Sequence, residues 1–178
     1  LVSGEYYCEQ IAALMRNALE RCAAMLQSGK VDVSEVLNCL LLSGIAMAFA
    51  GNSRPASGAE HHIAHYWEMD ALKNEREHAL HGEMVGVASV AVARLYEILN
   101  IKDKYPSVAV PDVALIESLL KKAGACHTPQ QIGISRPLFV EAITNAMHVR
   151  ERYTILRFAD AEHALKRCAD LLADKIYR

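Results

Sequence analysis

The feature that most constrains this chain is the recurrence of apolar residues at steps of three and four. Between Glu5 and Gln27 they fall at Ile11, Leu14, Met15, Ala18, Leu19, Cys22, Met25 and Leu26, which is the spacing of an amphipathic helix. Ser28-Gly29 ends that stretch. Asp32 followed by Glu35 has the form of a capping box and opens a second helix to Ala50. The run Val36 to Ala50 is interrupted by Asn38, Ser43 and Gly44 and falls short of the ~20 residues of a bilayer span; it reads as a buried helix. Gly51 to Pro55 breaks the pattern. Ser57 with Glu60 repeats the capping signal and predicts a third helix from Gly58 to Trp67, followed by a charged loop or solvated helix over Asp70 to Ala79. Gly82 to Leu99 is helical again, with Gly86, Ala88, Ser89, Ala91 and Ala93 small enough for close helix packing.

Further along, Asp112 caps a helix to Lys122, Thr128-Pro129 starts a short turn, and Ser135 with Pro137 starts a helix to His148. One or two more helices fill Arg152 to Arg178. No strand alternation and no internal repeat is present. The expected fold is all-α, a multi-helix bundle of seven or eight helices in one domain, 1–178. The length of 178 residues suits a single domain, and aromatic residues at 6% favour helices over a β-sandwich.

Charge and cysteine content narrow the function. Lys and Arg number 19 against 21 Asp and Glu, which leaves no basic surplus for nucleic acid. The five cysteines, at 8, 22, 39, 126 and 168, form no CxxC pair. Neither a disulfide framework nor a zinc–thiolate site is expected, and a reducing cytoplasm without membrane association is the expected setting.

Histidine is the unusual component. Five of the eight, at 61, 62, 65, 78 and 81, lie within 21 residues. His61 and His65 are four apart and share one helix face, while His62 is turned about 100° away toward solvent or core. His81 opens the next helical run and can return from a neighbouring helix. Two imidazoles from two helices plus a carboxylate make a three-ligand site with open positions for a divalent metal. HExxH is absent. The competing reading is a set of surface histidines on a polar helix, with His78, His127, His148 and His163 solvated or structural. Ser53, Arg54 and Ser57 precede the third helix, where they can hold a phosphate or another anion. The competing reading there is a capped turn with Arg54 paired to a carboxylate.

These residues carry a family resemblance. GNSRPASGAEHHIAHYWEM, followed by HGEMVGVA, resembles the signature of the glycerol-1-phosphate dehydrogenases, in the iron-containing alcohol dehydrogenase and dehydroquinate synthase-like superfamily. SGEYYCEQIAALM and RERYTIL are similar to the bacterial branch of that group. The resemblance implies the C-terminal helical domain of an enzyme that interconverts dihydroxyacetone phosphate and sn-glycerol 1-phosphate with NAD or NADP. It implies metal ligation by His61 and His81. It gives His65 to the substrate as the catalytic candidate, orienting a hydroxyl or relaying a proton. With a phosphorylated substrate, Ser53, Arg54 and Ser57 before the third helix are the candidates for the phosphate end. Zinc is the usual metal of the family, with nickel or iron in some relatives, and a homo-oligomer is expected.

Two features of the family pattern are missing. The family's N-terminal nucleotide-binding domain has no counterpart here, because the chain contains no GxGxxG. Its third metal ligand, an Asp, falls upstream of Leu1; Glu60, Glu68, Asp70 and Glu83 match no family ligand. The chain is therefore expected to be part of a longer enzyme and inactive alone. The alternatives are a glycerol or other polyol dehydrogenase of the same superfamily, and a non-catalytic helical module for dimerisation or partner binding.

Overall fold

The computed structural model describes residues 4–5 and 7–177. Ser3, Tyr6 and Arg178, at the edges of segments singled out above, lie outside the described residues. Among the described residues there are nine α-helices, eight of them seven residues or longer, and no strand. The all-α expectation holds. By backbone contacts the chain comprises two compact units, 1–58 and 59–178.

The first unit is a helical hairpin of α1 (Glu9–Ser28) and α2 (Val33–Ala50). Gly29 at φ 72° and Gly51 at φ 66° close the two helices in the left-handed conformation, each returning its N–H to a carbonyl of the last turn. Asp32 caps α2 by accepting from the Ser34 N–H at 2.8 Å. Glu35 does not complete the expected capping box. Its two carboxylate oxygens accept from Nε and Nη2 of Arg21, both at 2.6 Å. A forked, charge-assisted pair between helices outcompetes a reach back to one backbone N–H.

The expected burial of α2 is not observed. Only Cys39 and Ala46 are buried on it, while Val33, Leu37, Leu41, Ile45 and Phe49 are 36–75% exposed. These five stand at steps of four and form one ridge along the helix. Apolar residues surround α2 on all sides, and a single partner helix covers only one of them. With 18 residues and a mean hydropathy of 1.8, α2 is also long and apolar enough, by length and composition alone, to cross a membrane. This corrects the shortfall inferred from its polar interruptions.

The second unit contains α3 (Ala59–Lys73), α4 (His81–Ile98), α5 (Ile101–Lys104), α6 (Val113–Lys122), α7 (Arg136–Asn145), α8 (Ile155–Ala161) and α9 (Leu165–Ile176), with 3-10 turns at Pro129–Ile132 and Ala146–His148. α3 runs beyond Trp67 into the charged stretch because Ala71 is buried there. Its core joins Ile63 and Trp67 of α3, Met84 and Leu95 of α4, Phe139 of α7 and Leu172 of α9. Small residues let α4 pack closely: a methyl group at Gly86 would meet Leu120 Cδ2 of α6 at 3.0 Å. Asp112 caps α6 through the Leu115 N–H at 3.0 Å, and Ser135 caps α7 through the Leu138 N–H at 3.4 Å, as their positions in the sequence anticipate.

One polar side chain lies inside this core. His62 is 0% exposed, and neither ring nitrogen has a hydrogen-bond partner among the described residues. Burial, then the positive charges of Arg152 and Arg150, lower its pKa and hold the ring neutral.

Two consequences are measurable. Phe139, fully buried with its ring 6.4 Å from Trp67 and 5.8 Å from Tyr177, should cost about 3–5 kcal/mol in urea unfolding when changed to Ala. For His62 the folded pKa lies below the unfolded one. Its contribution is therefore present above the unfolded value of about 6.5 and is lost as pH falls through the folded value. His62→Leu should lessen the acid-side loss of stability, by up to about 1.4 kcal/mol per pH unit in that window. An unchanged pH–stability slope would contradict the buried, neutral assignment.

Candidate metal site

The site is built from one face of α3 and the first residue of α4. His61, His65 and Glu68 are spaced four and three apart and so share a face of α3. α4 begins at His81, after the extended Leu80, whose N–H donates to the Glu83 carboxylate at 3.2 Å. That turn brings the His81 ring back over α3. Ring centroids lie 5.5 Å apart for His61 and His81, 5.1 Å for His65 and His81, and 6.4 Å for His61 and His65. The imidazoles of 61, 65 and 81 are thus brought together. His62 is in the core, His78 donates from Nδ1 to the Ala79 carbonyl at 2.9 Å, and His127, His148 and His163 lie on other segments.

Each of the three converging rings has Nδ1 on a carboxylate. His61 Nδ1 is 2.8 Å from Glu60 Oε1, His65 Nδ1 is 2.9 Å from Glu68 Oε2, and His81 Nδ1 is 2.9 Å from Glu68 Oε1. Burial raises the Glu68 pKa, but hydrogen bonds from His65 and His81 outweigh it and hold the carboxyl below its ordinary range. An ionised carboxylate only accepts, so the proton of each hydrogen bond sits on Nδ1. In a neutral ring this leaves Nε2 with a lone pair. His65 gives separate support: Arg150 Nη2 is 3.3 Å from its Nε2, and a guanidinium has only donors.

Among the described residues, the group whose ligand atoms lie within 4.8 Å of one another is His65, Glu68 and His81; the expected ligand His61 is beside this group and not in it. Imidazoles held at Nδ1 by carboxylates are the usual surroundings of a protein-bound metal, since the second hydrogen bond fixes the tautomer and raises basicity. The residues present fit a borderline divalent ion such as zinc, nickel or iron(II).

The residues given to the anion belong to the first unit, where Arg54 is ion-paired through Nη1 with the Glu5 carboxylate. This is the paired alternative weighed against anion binding. Its backbone N–H donates to Asn52 Oδ1 at 2.9 Å, and Ser57 is buried. The Glu60 carboxylate accepts from His61 Nδ1.

Two site residues were not assigned from the sequence. Glu68 had a signal, its spacing of three from His65 on a helix. Arg150 had none beyond its place in RERYTIL, because the fold alone brings it to His65.

No protein-family model matches the chain. It is 32% identical over 174 residues to glycerol-1-phosphate dehydrogenase [NAD(P)+] of Bacillus licheniformis, an alignment covering 88% of this chain and 43% of that protein. It is 37% identical over 160 residues to the protein of the same name from Pyrococcus furiosus, covering 87% and 41%. The counterpart from Haloquadratum walsbyi is 40% identical over 167 residues, covering 92% and 44%. The chain therefore spans less than half the length of these relatives. Over nearly nine-tenths of its own length it is a homologue of the glycerol-1-phosphate dehydrogenases.

Proposed function

We propose that this chain is the helical metal- and substrate-binding part of an NAD(P)-linked dehydrogenase that interconverts dihydroxyacetone phosphate and sn-glycerol 1-phosphate. The observation that carries the reading is the meeting of His61, His65 and His81, each with Nδ1 on a carboxylate, in a homologue of enzymes bearing that name. His61 and His81 would hold a divalent metal, with zinc the expected ion. When bound, the metal stabilises negative charge on the substrate oxygen.

The remaining roles belong to the chain's own side chains. His65 orients a substrate hydroxyl or exchanges its proton with solvent. Arg150, already at His65 Nε2, is a cation at the imidazole cluster suited to the phosphate end. Ser53, Arg54 and Ser57 serve that end only if the Glu5–Arg54 pair opens. The dinucleotide is assigned to a part of the protein outside this chain, which has no Gly-rich strand–helix turn. A cytoplasmic setting accords with this chemistry.

The test uses the natural full-length protein. His61→Ala and His81→Ala should each reduce bound metal to well below one equivalent per chain (about one at saturation in the wild type). His65→Ala should keep the metal and lower turnover by roughly 10²–10⁴-fold. Glycerol 1-phosphate should be oxidised with a far higher kcat/KM than glycerol. Equal use of glycerol would favour the polyol alternative, and metal content insensitive to both histidine changes would overturn the site.

A second reading, association of identical chains through α2, is favoured by its exposed ridge of Val33, Leu37, Leu41, Ile45 and Phe49. The substitution Leu41→Glu should lower the mass of the full-length protein in light scattering from oligomer to monomer. An unchanged mass would contradict this use of the ridge.

A further inference from the structure

We infer that Glu68 is the positioning residue of this site, its single carboxylate fixing His65 and His81 together as Nδ1–H tautomers. The inference rests on the metal reading above only where it concerns affinity. Its basis is the pair of 2.9 Å contacts, one from each carboxylate oxygen to a different imidazole. Glu68 lies on α3 and is only 19% exposed at its side chain, whereas His81 opens α4. The carboxylate therefore ties the two helices at the site and sets which nitrogen each ring presents.

In water a neutral imidazole favours its proton on Nε2. A ring in that form could neither donate to Glu68 from Nδ1 nor offer Nε2 to an ion. Glu68 reverses the preference. Both of its oxygens are occupied as acceptors, so it acts on a metal through His81. His65 is held twice, by Glu68 at Nδ1 and by the Arg150 donor 3.3 Å from Nε2. Among the described residues, His81 has Glu68 alone at Nδ1.

This asymmetry makes the test specific. In E68Q the amide keeps one acceptor oxygen and turns its NH₂ toward the other ring. Arg150 continues to require a bare Nε2 on His65, so His81 is the ring that switches. Long-range ¹H–¹⁵N NMR of the metal-free, full-length protein should show both rings as Nδ1–H in the wild type. In E68Q, His65 should be unchanged and His81 should convert to Nε2–H. Titration with Co(II) should then give an affinity about 10–100-fold lower in E68Q, at the same stoichiometry and with the same visible absorption band.

His81 remaining Nδ1–H in E68Q, or equal Co(II) affinity in E68Q and wild type, would overturn the inference. A changed absorption band would also overturn it, because Glu68 would then be a ligand itself. The near-isosteric Gln guards against loss of folding, and E68A, checked by circular dichroism, should release His81 in the same way. If the wild type binds no Co(II), the metal reading falls, and the tautomer of His81 still decides the role of Glu68.

Discussion

A shared carboxylate between two imidazoles organises the functional half of this structure. Glu68 accepts from His65 on its own helix and from His81 at the start of the next. The two hydrogen bonds convert a sequence separation of 13 residues into a fixed contact across α3 and α4. They decide the tautomer of both rings, and hence which nitrogen faces a ligand. A charge-assisted bond of this kind is roughly twice as strong as a neutral one, and both oxygens are used. The third ring, His61, reaches the same state by a local route through Glu60.

The site needs rigid helices beneath it, and the core provides them. Ile63 and Trp67 occupy the face of α3 that turns away from the imidazoles, and they pack among Met84, Leu95 and Phe139. His61 and His65 bracket Ile63 on one helix, so the packing that buries Ile63 holds the opposite face, with both imidazoles, outward. His62 shows the cost of this arrangement. A polar ring sits in the core one position from a proposed ligand, without a hydrogen-bond partner among the described residues, and stays neutral there. By contrast the exposed ion pairs, such as Lys104 with Glu162 at 3.5 Å, contribute little at such exposure.

Much of this was legible from spacing. Asp32, Asp112 and Ser135 marked helix starts correctly because a cap depends on only three or four consecutive residues. The clustering of histidines and the four-residue step from 61 to 65 foretold a shared face. What failed did so where a distant partner intervened. Glu35 was drawn from its cap by Arg21. α2 was read as buried, since apolar composition records the tendency to be covered without recording whether a partner exists. Arg150 joins His65 across 85 residues of chain, a contact no local pattern encodes. Glu68 was within reach of the helical rule, three residues after His65 on the same face.

The central claim is that His61 and His81 hold one divalent ion in common. The direct measurement is anomalous diffraction from crystals of the full-length protein grown with zinc. The account predicts one peak at about 2.0–2.1 Å from Nε2 of both His61 and His81, with Nδ1 of each ring still on its carboxylate. Peaks confined to other residues, or zinc bonded to Nδ1 of these rings, would contradict it.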